Sequence, residues 1–172
     1  MEGSVHWDLI EDLSDMTKQD GRQPMPVKVS LVELFQGTGL SLEDSIVIYD
    51  DGVSPFATRA WWFLQYAGFN NSFIILEGYD AIKEAGIPVD QTKPSITRSS
   101  VTPVCDESLY ASRDYIEKTV SGETGSILLD ARAGNRYRGE IEPLDPIAGH
   151  IPGALNFDWE QLKKDGGYHF DE

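Results

Sequence analysis

The feature that most limits the fold is a strand–turn–helix–strand pattern within residues 46–76. Ile46–Tyr49 is a short apolar run of the kind found in buried strands of parallel sheets. Ser54–Pro55 suits the N-cap and first position of a helix, which we predict over Phe56–Tyr66. A second strand is predicted over Phe73–Leu76. Because strands joined through a helix run parallel, we predict an α/β protein with an open parallel sheet and flanking helices.

The chain beyond this pattern begins with a stretch of different character, residues 88–105, where prolines stand among serines and threonines. We interpret that stretch as a linker or an extended surface segment. A helix is predicted over Leu109–Val120, with Asp106 or Ser108 as its cap. A third buried strand is predicted over Ile127–Leu129.

An internal repeat links the two ends of the chain. Gly153–Asp158 matches Gly3–Asp8 in residue class at all six positions, at an offset of 150 residues. At this offset the counterpart of Tyr49–Gly52 falls near position 200, and that of Leu129–Arg132 falls before Met1. We therefore expect two homologous domains, both incomplete, divided as residues 1–87, a linker at 88–105, and residues 106–172.

The charge of the chain excludes several classes of partner. The sequence holds 14 Lys and Arg against 29 Asp and Glu, a formal net charge of −15. Nucleic acids and anionic membranes attract clusters of basic residues, so neither is an expected partner. Residues 1–6 lack the basic start and apolar stretch of a signal peptide, so we expect a cytoplasmic protein.

Cysteine content and motif spacing limit the chemistry further. A single cysteine, Cys105, excludes an internal disulfide and a cysteine-rich zinc site. Two acids, Asp106 and Glu107, follow it directly, and neighbouring carboxylates make a thiol a poor nucleophile. The phosphate-binding and metal-binding motifs with characteristic spacing do not occur, so we expect no cofactor and no metal.

Cations are concentrated only in the loop that follows the third predicted strand. Arg132, Arg136 and Arg138 stand at the end of that strand, where arginine forks can hold a small oxyanion. The alternative is that they pair with nearby acids of the same loop, namely Glu140, Glu142 and Asp145.

Two further polar positions are candidates. The turn at Asp50–Ser54 lies between a strand end and a helix start, where α/β sheets place ligands, but polar turns are common at such points. His150 precedes Ile-Pro-Gly and has no serine or cysteine placed for it to activate, which favours a structural histidine in a strand-entry turn.

The chain resembles the two-domain rhodanese-type sulfurtransferases, the thiosulfate and 3-mercaptopyruvate sulfurtransferase family. The stretch from Ile46 to Trp62, with Leu76-Glu77-Gly78 after it, resembles the later part of their amino-terminal domain. Three short motifs of this chain resemble the opening of the family's second domain: Asp130-Ala131-Arg132, Arg136-Tyr137-Arg138-Gly139 and Gly149-His150-Ile151-Pro152-Gly153-Ala154. The resemblance implies a structural rather than a catalytic role for four residues of these motifs, namely Asp130, Arg132, His150 and Gly153.

The family resemblance also implies roles for particular residues. Its members hold sulfur as a persulfide on a cysteine of the second domain, in a cradle of backbone N–H groups. Asp50 stands at the equivalent position of the first domain and cannot hold a persulfide, so that domain resembles the inactive copy. Arg136 and Arg138 match substrate-binding arginines, whereas Leu144 replaces an arginine of the mercaptopyruvate enzymes, which favours thiosulfate.

The resemblance predicts transfer of sulfane sulfur from thiosulfate or 3-mercaptopyruvate to cyanide or a thiol. We expect this chain alone to be inactive, since no cysteine stands at a catalytic position. The alternative is a non-catalytic rhodanese-like module that binds an anion or a protein. Self-association through the incomplete domains is a further expectation.

Overall fold

Two units make up the chain, Met1–Leu109 and Tyr110–Glu172. The computed structural model describes residues 1, 3–19, 21–52, 54–164 and 167–168. The first unit contains α1 (Lys28–Gly37), β1 (Ile46–Ile48), α2 (Phe56–Tyr66), β2 (Ser72–Ile74), α3 (Gly78–Glu84) and a 3-10 turn (Glu107–Leu109).

The strand–helix–strand arrangement of the first unit confirms the predicted α/β class. β1 and β2 are parallel, with Val47 opposite Phe73, and α2 connects them. The bounds of α2 coincide with the predicted helix. The indole Nε1 of Trp61 donates a hydrogen bond to the Ser72 carbonyl at 3.1 Å, which ties α2 to the start of β2. The sheet is short, with two strands among the described residues of this unit.

One helix of the first unit, α1, was not predicted from the sequence. Leu31 and Phe35 lie four residues apart and are both fully buried. Positions four apart share one helix face, so this spacing was the signal that could have found the helix.

An aromatic and aliphatic core holds α1 and α2 together. The Phe35 ring centroid lies 5.0 Å from that of Phe69 and 5.8 Å from that of Trp7. Each such side chain contributes about 1.5–3 kcal/mol through burial. The largest fully buried side chains are Leu31, Phe35, Phe63, Leu64, Tyr66 and Phe69.

The predicted linker at 88–105 is extended and carries no helix or strand. It is nevertheless bonded to the first unit. The Ser99 N–H donates to the Gln36 carbonyl at 3.0 Å, and the Gln36 side-chain amide donates to the Val101 carbonyl at 2.9 Å. These bonds satisfy backbone groups that have no partner within a helix or sheet.

The second unit contains a shorter parallel strand pair. Its elements are α4 (Arg113–Val120), β3 (Leu129–Asp130), α5 (Gly134–Tyr137), β4 (Leu155–Asn156), a 3-10 turn (Trp159–Leu162), β5 (Lys163–Lys164) and β6 (Gly167–Tyr168). β3 pairs with β4 in parallel, and β5 pairs with β6 antiparallel. Across the described residues of both units, no helix has the length and apolar character needed to cross a lipid bilayer.

The predicted cap of the helix in the second unit was wrong. α4 begins at Arg113 and is capped by Ser112, whose hydroxyl accepts a hydrogen bond from the Tyr115 N–H at 3.2 Å. Asp106 instead accepts from the Ser108 N–H at 2.9 Å and opens the 3-10 turn of the first unit. Both acceptors suit a helix start, and the sequence alone does not separate them.

Two backbone features recur at equivalent positions of the predicted internal repeat. The Ser4 N–H bonds the Met1 carbonyl, and the Ala154 N–H bonds the Ile151 carbonyl, again 150 residues apart. Gly3 and Gly153 take left-handed φ values of 76° and 81°, which glycine adopts without steric cost. The two segments therefore share a closing hydrogen bond and a left-handed glycine, and Pro152 before Gly153 is typical of a type II turn.

Each parallel strand pair leaves one apolar cross-strand pair exposed. Val47 and Phe73 are opposite each other in the first unit, as are Leu129 and Leu155 in the second. All four side chains are exposed. Among the described residues of the second unit, Ala154 is the one buried hydrophobic residue. Its fold therefore depends more on polar contacts than that of the first unit.

Replacing Phe35 with alanine tests the core of the first unit. We expect Phe35→Ala to lower the free energy of unfolding by about 3–5 kcal/mol, because it opens a cavity between α1 and α2. The exposed Phe73→Ala is the matched control and should cost below about 1 kcal/mol. Urea unfolding followed by tryptophan fluorescence measures both, and equal losses would contradict the assigned core.

Candidate functional site

The predicted arginine loop lies beside an open cleft in the second unit, at the carboxyl end of β3. The cleft has a volume of about 590 Å³ and is lined on its polar side by Asp130, Arg132, Asp145 and His150. Apolar side chains, including Ile116 and Leu129, line the rest. Ligands of open α/β sheets bind at such strand ends.

A paired aspartate and arginine begin the loop. Arg132 Nη2 donates to Asp130 Oδ2 at 2.6 Å, and Arg132 Nε donates to Asp130 Oδ1 at 3.0 Å. Arg132 Nη2 also donates to the Gly149 carbonyl at 2.6 Å, which holds the segment before β4 against the loop. The guanidinium lowers the pKa of Asp130, and the carboxylate raises the pKa of Arg132.

Arg136 is the most enclosed arginine of the loop, with a side chain 13% exposed. It lies on α5 and makes a side-on fork to Glu142, from Nη2 to Oε1 at 2.7 Å and from Nε to Oε2 at 3.2 Å. Nη2 also donates to Asp145 Oδ2 at 2.8 Å. Fork contacts of this kind are stronger than single hydrogen bonds between neutral groups.

Glu142 is the centre of these contacts, and its side chain is 5% exposed. Besides the Arg136 fork, it accepts from Arg132 Nη1 at 3.2 Å and from the N–H groups of Leu144 and Asp145 at 3.0 and 3.1 Å. The hydrogen bonds from Arg136 lower its pKa from 4.5 to about 2, against the opposing effect of burial. The carboxylate therefore remains ionised at neutral pH.

Arg138 differs from the other two arginines because it is exposed. Its Nε and Nη2 atoms donate to the two Glu140 oxygens at 2.6 and 3.0 Å. Both side chains are more than half exposed, so this pair contributes little to stability.

The structure therefore shows the pairing that the sequence offered as the alternative to a free anion site. Each of the three arginines contacts at least one of Glu140, Glu142 and Asp145. In the enclosed cluster, the two guanidiniums of Arg132 and Arg136 face three carboxylates, a net charge of −1. Binding of an anion by Arg136 and Arg138 stays a prediction.

Glu142 is the site residue whose importance the sequence did not reveal. Glu140 and Glu142 were named as equivalent partners, and the structure separates them into one exposed and one enclosed carboxylate. The proline after Glu142 was the available signal, because it favours an extended turn at that point.

His150 and Gly153 have structural contacts. His150 Nδ1 lies 2.7 Å from the Tyr137 carbonyl, and its ring stacks on the Tyr137 ring at 3.7 Å between centroids. The Tyr137 hydroxyl donates to the Ala154 carbonyl at 2.7 Å, beside the Gly153 turn. These contacts attach α5 to the start of β4.

Asp50, at the end of β1, uses its side chain within its own turn. Oδ1 accepts from the Gly52 N–H at 2.8 Å, and Oδ2 accepts from the Ala57 N–H in the first turn of α2 at 2.9 Å. The Asp50 carbonyl accepts from the Tyr79 N–H at 2.8 Å. The carboxylate thus occupies donors that a strand-to-helix turn otherwise offers to an anion.

Cys105, the single cysteine, is half-buried against the core of the first unit. Nearby, the Tyr66 hydroxyl donates to Glu107 Oε1 at 3.0 Å, and Lys28 pairs with the same carboxylate. Burial, together with Glu107 and Cys105, raises the pKa of Tyr66. Among the described residues, the Cys105 thiol neither contacts the loop arginines nor lines the cleft.

Acid should selectively weaken the contacts of Glu142. Its pKa is 4.5 in the unfolded chain and about 2 when folded, so its stabilisation is present above pH 4.5 and is lost as pH falls toward 2. Amide hydrogen exchange over residues 129–156 should therefore differ between wild type and Glu142→Gln at pH 6, with the difference shrinking below pH 4.5. Glu117→Gln, an exposed glutamate on α4, is the control, and a pH-independent difference would contradict the assignment.

Removing the Asp50 carboxylate should destabilise the turn after β1. We expect Asp50→Ala to lower the free energy of unfolding by about 1–2 kcal/mol, since the N–H groups of Gly52 and Ala57 lose their acceptor. Asp50→Asn keeps one acceptor oxygen and should lose less. Urea unfolding measures both, and an alanine variant as stable as wild type would refute the role.

Several known proteins similar to this chain are named as sulfurtransferases, although no protein-family model matches it. A "Probable 3-mercaptopyruvate sulfurtransferase" of Pseudomonas aeruginosa is 39% identical over 155 residues, which is 88% of this chain and 54% of that protein. A thiosulfate sulfurtransferase of Azotobacter vinelandii is 32% identical over 134 residues, 78% of this chain and 49% of that protein. The chain thus spans about half the length of these relatives.

A solved structure shows the same fold. The 3-mercaptopyruvate sulfurtransferase SseA of Escherichia coli, described as having the rhodanese fold, matches 99% of this chain and 63% of its own with a TM-score of 0.82 at 23% identity. With the identities above, these findings confirm the predicted fold and the predicted resemblance. The chain is similar in sequence to rhodanese-type sulfurtransferases over about half of their length and has the rhodanese fold.

Proposed function

We propose that the protein transfers sulfane sulfur from thiosulfate, or from 3-mercaptopyruvate, to cyanide or a thiol by way of a cysteine persulfide. The observation that carries this proposal is the arginine loop at the carboxyl end of β3, in a chain homologous to sulfurtransferases. Arg136 and Arg138 are proposed to bind the anionic donor, because arginine forks suit oxyanions.

The 172-residue chain is proposed not to supply the nucleophile. Its single cysteine, Cys105, lies against the first unit's core, in sequence next to Asp106 and Glu107. A persulfide-forming thiolate is instead stabilised by a cradle of N–H groups. In the first unit, Asp50 stands at the proposed equivalent position and already accepts from the Gly52 and Ala57 N–H groups. That unit is proposed to be structural.

Thiosulfate is the proposed donor. Leu144 stands where mercaptopyruvate enzymes carry an additional arginine, and it is an exposed side chain whose N–H donates to Glu142. Of the two relatives described above, one is named a 3-mercaptopyruvate sulfurtransferase and the other a thiosulfate sulfurtransferase, so the assay includes both donors.

The assay for this proposal compares two proteins. The protein expressed from its natural gene is expected to form thiocyanate from thiosulfate and cyanide, whereas the 172-residue chain alone is expected to form none. Pyruvate formation from 3-mercaptopyruvate is the second arm. Turnover by the chain that is lost in Cys105→Ser would overturn the proposal that it lacks the nucleophile.

A second candidate is a non-catalytic module that binds an anion or a protein. The exposed apolar residues of β3 and β4 favour its protein-binding form, as does the pairing of all three loop arginines with carboxylates, which leaves them less available to an anion. Absence of turnover in the natural gene product would select this candidate. Self-association, the proposed mode of protein binding, is then tested by light scattering, where a monomer at all concentrations would exclude it.

A further inference from the structure

The carboxylate of Glu142 lies in a site that is built like an oxyanion receptor. Five N–H groups donate to its two oxygens: Nε and Nη2 of Arg136, Nη1 of Arg132, and the backbone N–H groups of Leu144 and Asp145. A guanidinium fork combined with successive backbone N–H groups is a common way to bind small anions.

The donors of this site are fixed independently of Glu142. Arg132 is also held by Asp130 and by the Gly149 carbonyl, and Arg136 is also held by Asp145. The two backbone N–H groups belong to the turn that follows Pro143. If the carboxylate leaves, these donors still converge on one small volume.

The charge of the cluster opposes an external anion while Glu142 is in place. Three carboxylates face two guanidiniums, and the Glu142 side chain is only 5% exposed. A dianion such as thiosulfate would meet a net negative cluster whose donors are already used. Its binding therefore requires that one carboxylate move out.

We propose that Glu142 is an internal competitor for this oxyanion site, and that displacement of its carboxylate sets the affinity for the anionic donor. The inference rests on the proposed function only for the identity of that anion. The Glu142 side chain turns outward when the donor binds, and Arg136 exchanges an internal carboxylate for the external oxyanion. Glu142 thus sets the affinity for the anion and is not a catalytic residue.

The test is calorimetric titration of the 172-residue chain with sodium thiosulfate at an ionic strength held constant with sodium chloride. We expect Glu142→Ala to bind thiosulfate about tenfold more tightly than wild type, since the competing carboxylate is gone. Glu117→Ala removes the same charge from an exposed arginine pair on α4 and should change the Kd by less than about twofold. Sulfate in place of thiosulfate shows whether the gain extends to other oxyanions, as the geometry of the site predicts.

Two further variants keep the inference open to refutation. Arg136→Ala added to Glu142→Ala should abolish the gain, and a gain that survives it would overturn the assignment of the site. If Glu142→Ala fails to fold by circular dichroism, Glu142→Gln takes its place, because the amide oxygen retains the backbone contacts while the negative charge is lost. Equal Kd values for wild type and the folded Glu142 variant would overturn the proposal.

The outcomes separate this inference from the proposed function. Tighter thiosulfate binding by the Glu142 variant, without sulfur transfer by the natural gene product, would support the inference and refute the function. Unchanged binding alongside an active natural protein would do the reverse.

Discussion

A carboxylate at the end of a parallel strand organises the adjoining loop in each unit. In the first unit Asp50 joins the end of β1 to the first turn of α2 through two N–H groups. In the second unit Asp130 holds Arg132, and Arg132 and Arg136 meet at Glu142. Strand ends in α/β folds gather backbone donors at one edge, and here the chain's own anions take them up.

The two units use different means to hold these loops. The first has a core of large buried side chains around Phe35 and Phe63, so packed helices hold the turn after β1 in place. The second has little buried apolar area among its described residues, and its loop is held by charge-assisted hydrogen bonds instead. The two units nevertheless share a closing hydrogen bond at equivalent positions of the sequence repeat, from the Ser4 N–H to the Met1 carbonyl and from the Ala154 N–H to the Ile151 carbonyl.

How far the sequence predicted this structure depended on the kind of contact. α2 was placed correctly because strands border it on both sides. Its predicted cap was wrong, since Pro55 rather than Ser54 is the N-cap and the Asp50 carboxylate accepts from the Ala57 N–H. α1 was not predicted, because only two of its residues, Leu31 and Phe35, are buried and the rest of the helix mixes polar and apolar side chains. The arginine loop was located, but which acid each arginine contacts depends on the turn after Pro143, and residue order does not fix side-chain pairing.

The exposed apolar pairs on the two short sheets indicate a consequence of the high net negative charge of the chain. Parallel sheets are ordinarily covered on both faces, and Val47 with Phe73 and Leu129 with Leu155 are not. Mutual repulsion between copies that each carry a net charge of −15 opposes contact between such faces. Salt or acid, which weaken that repulsion, therefore reduce the colloidal stability of the chain.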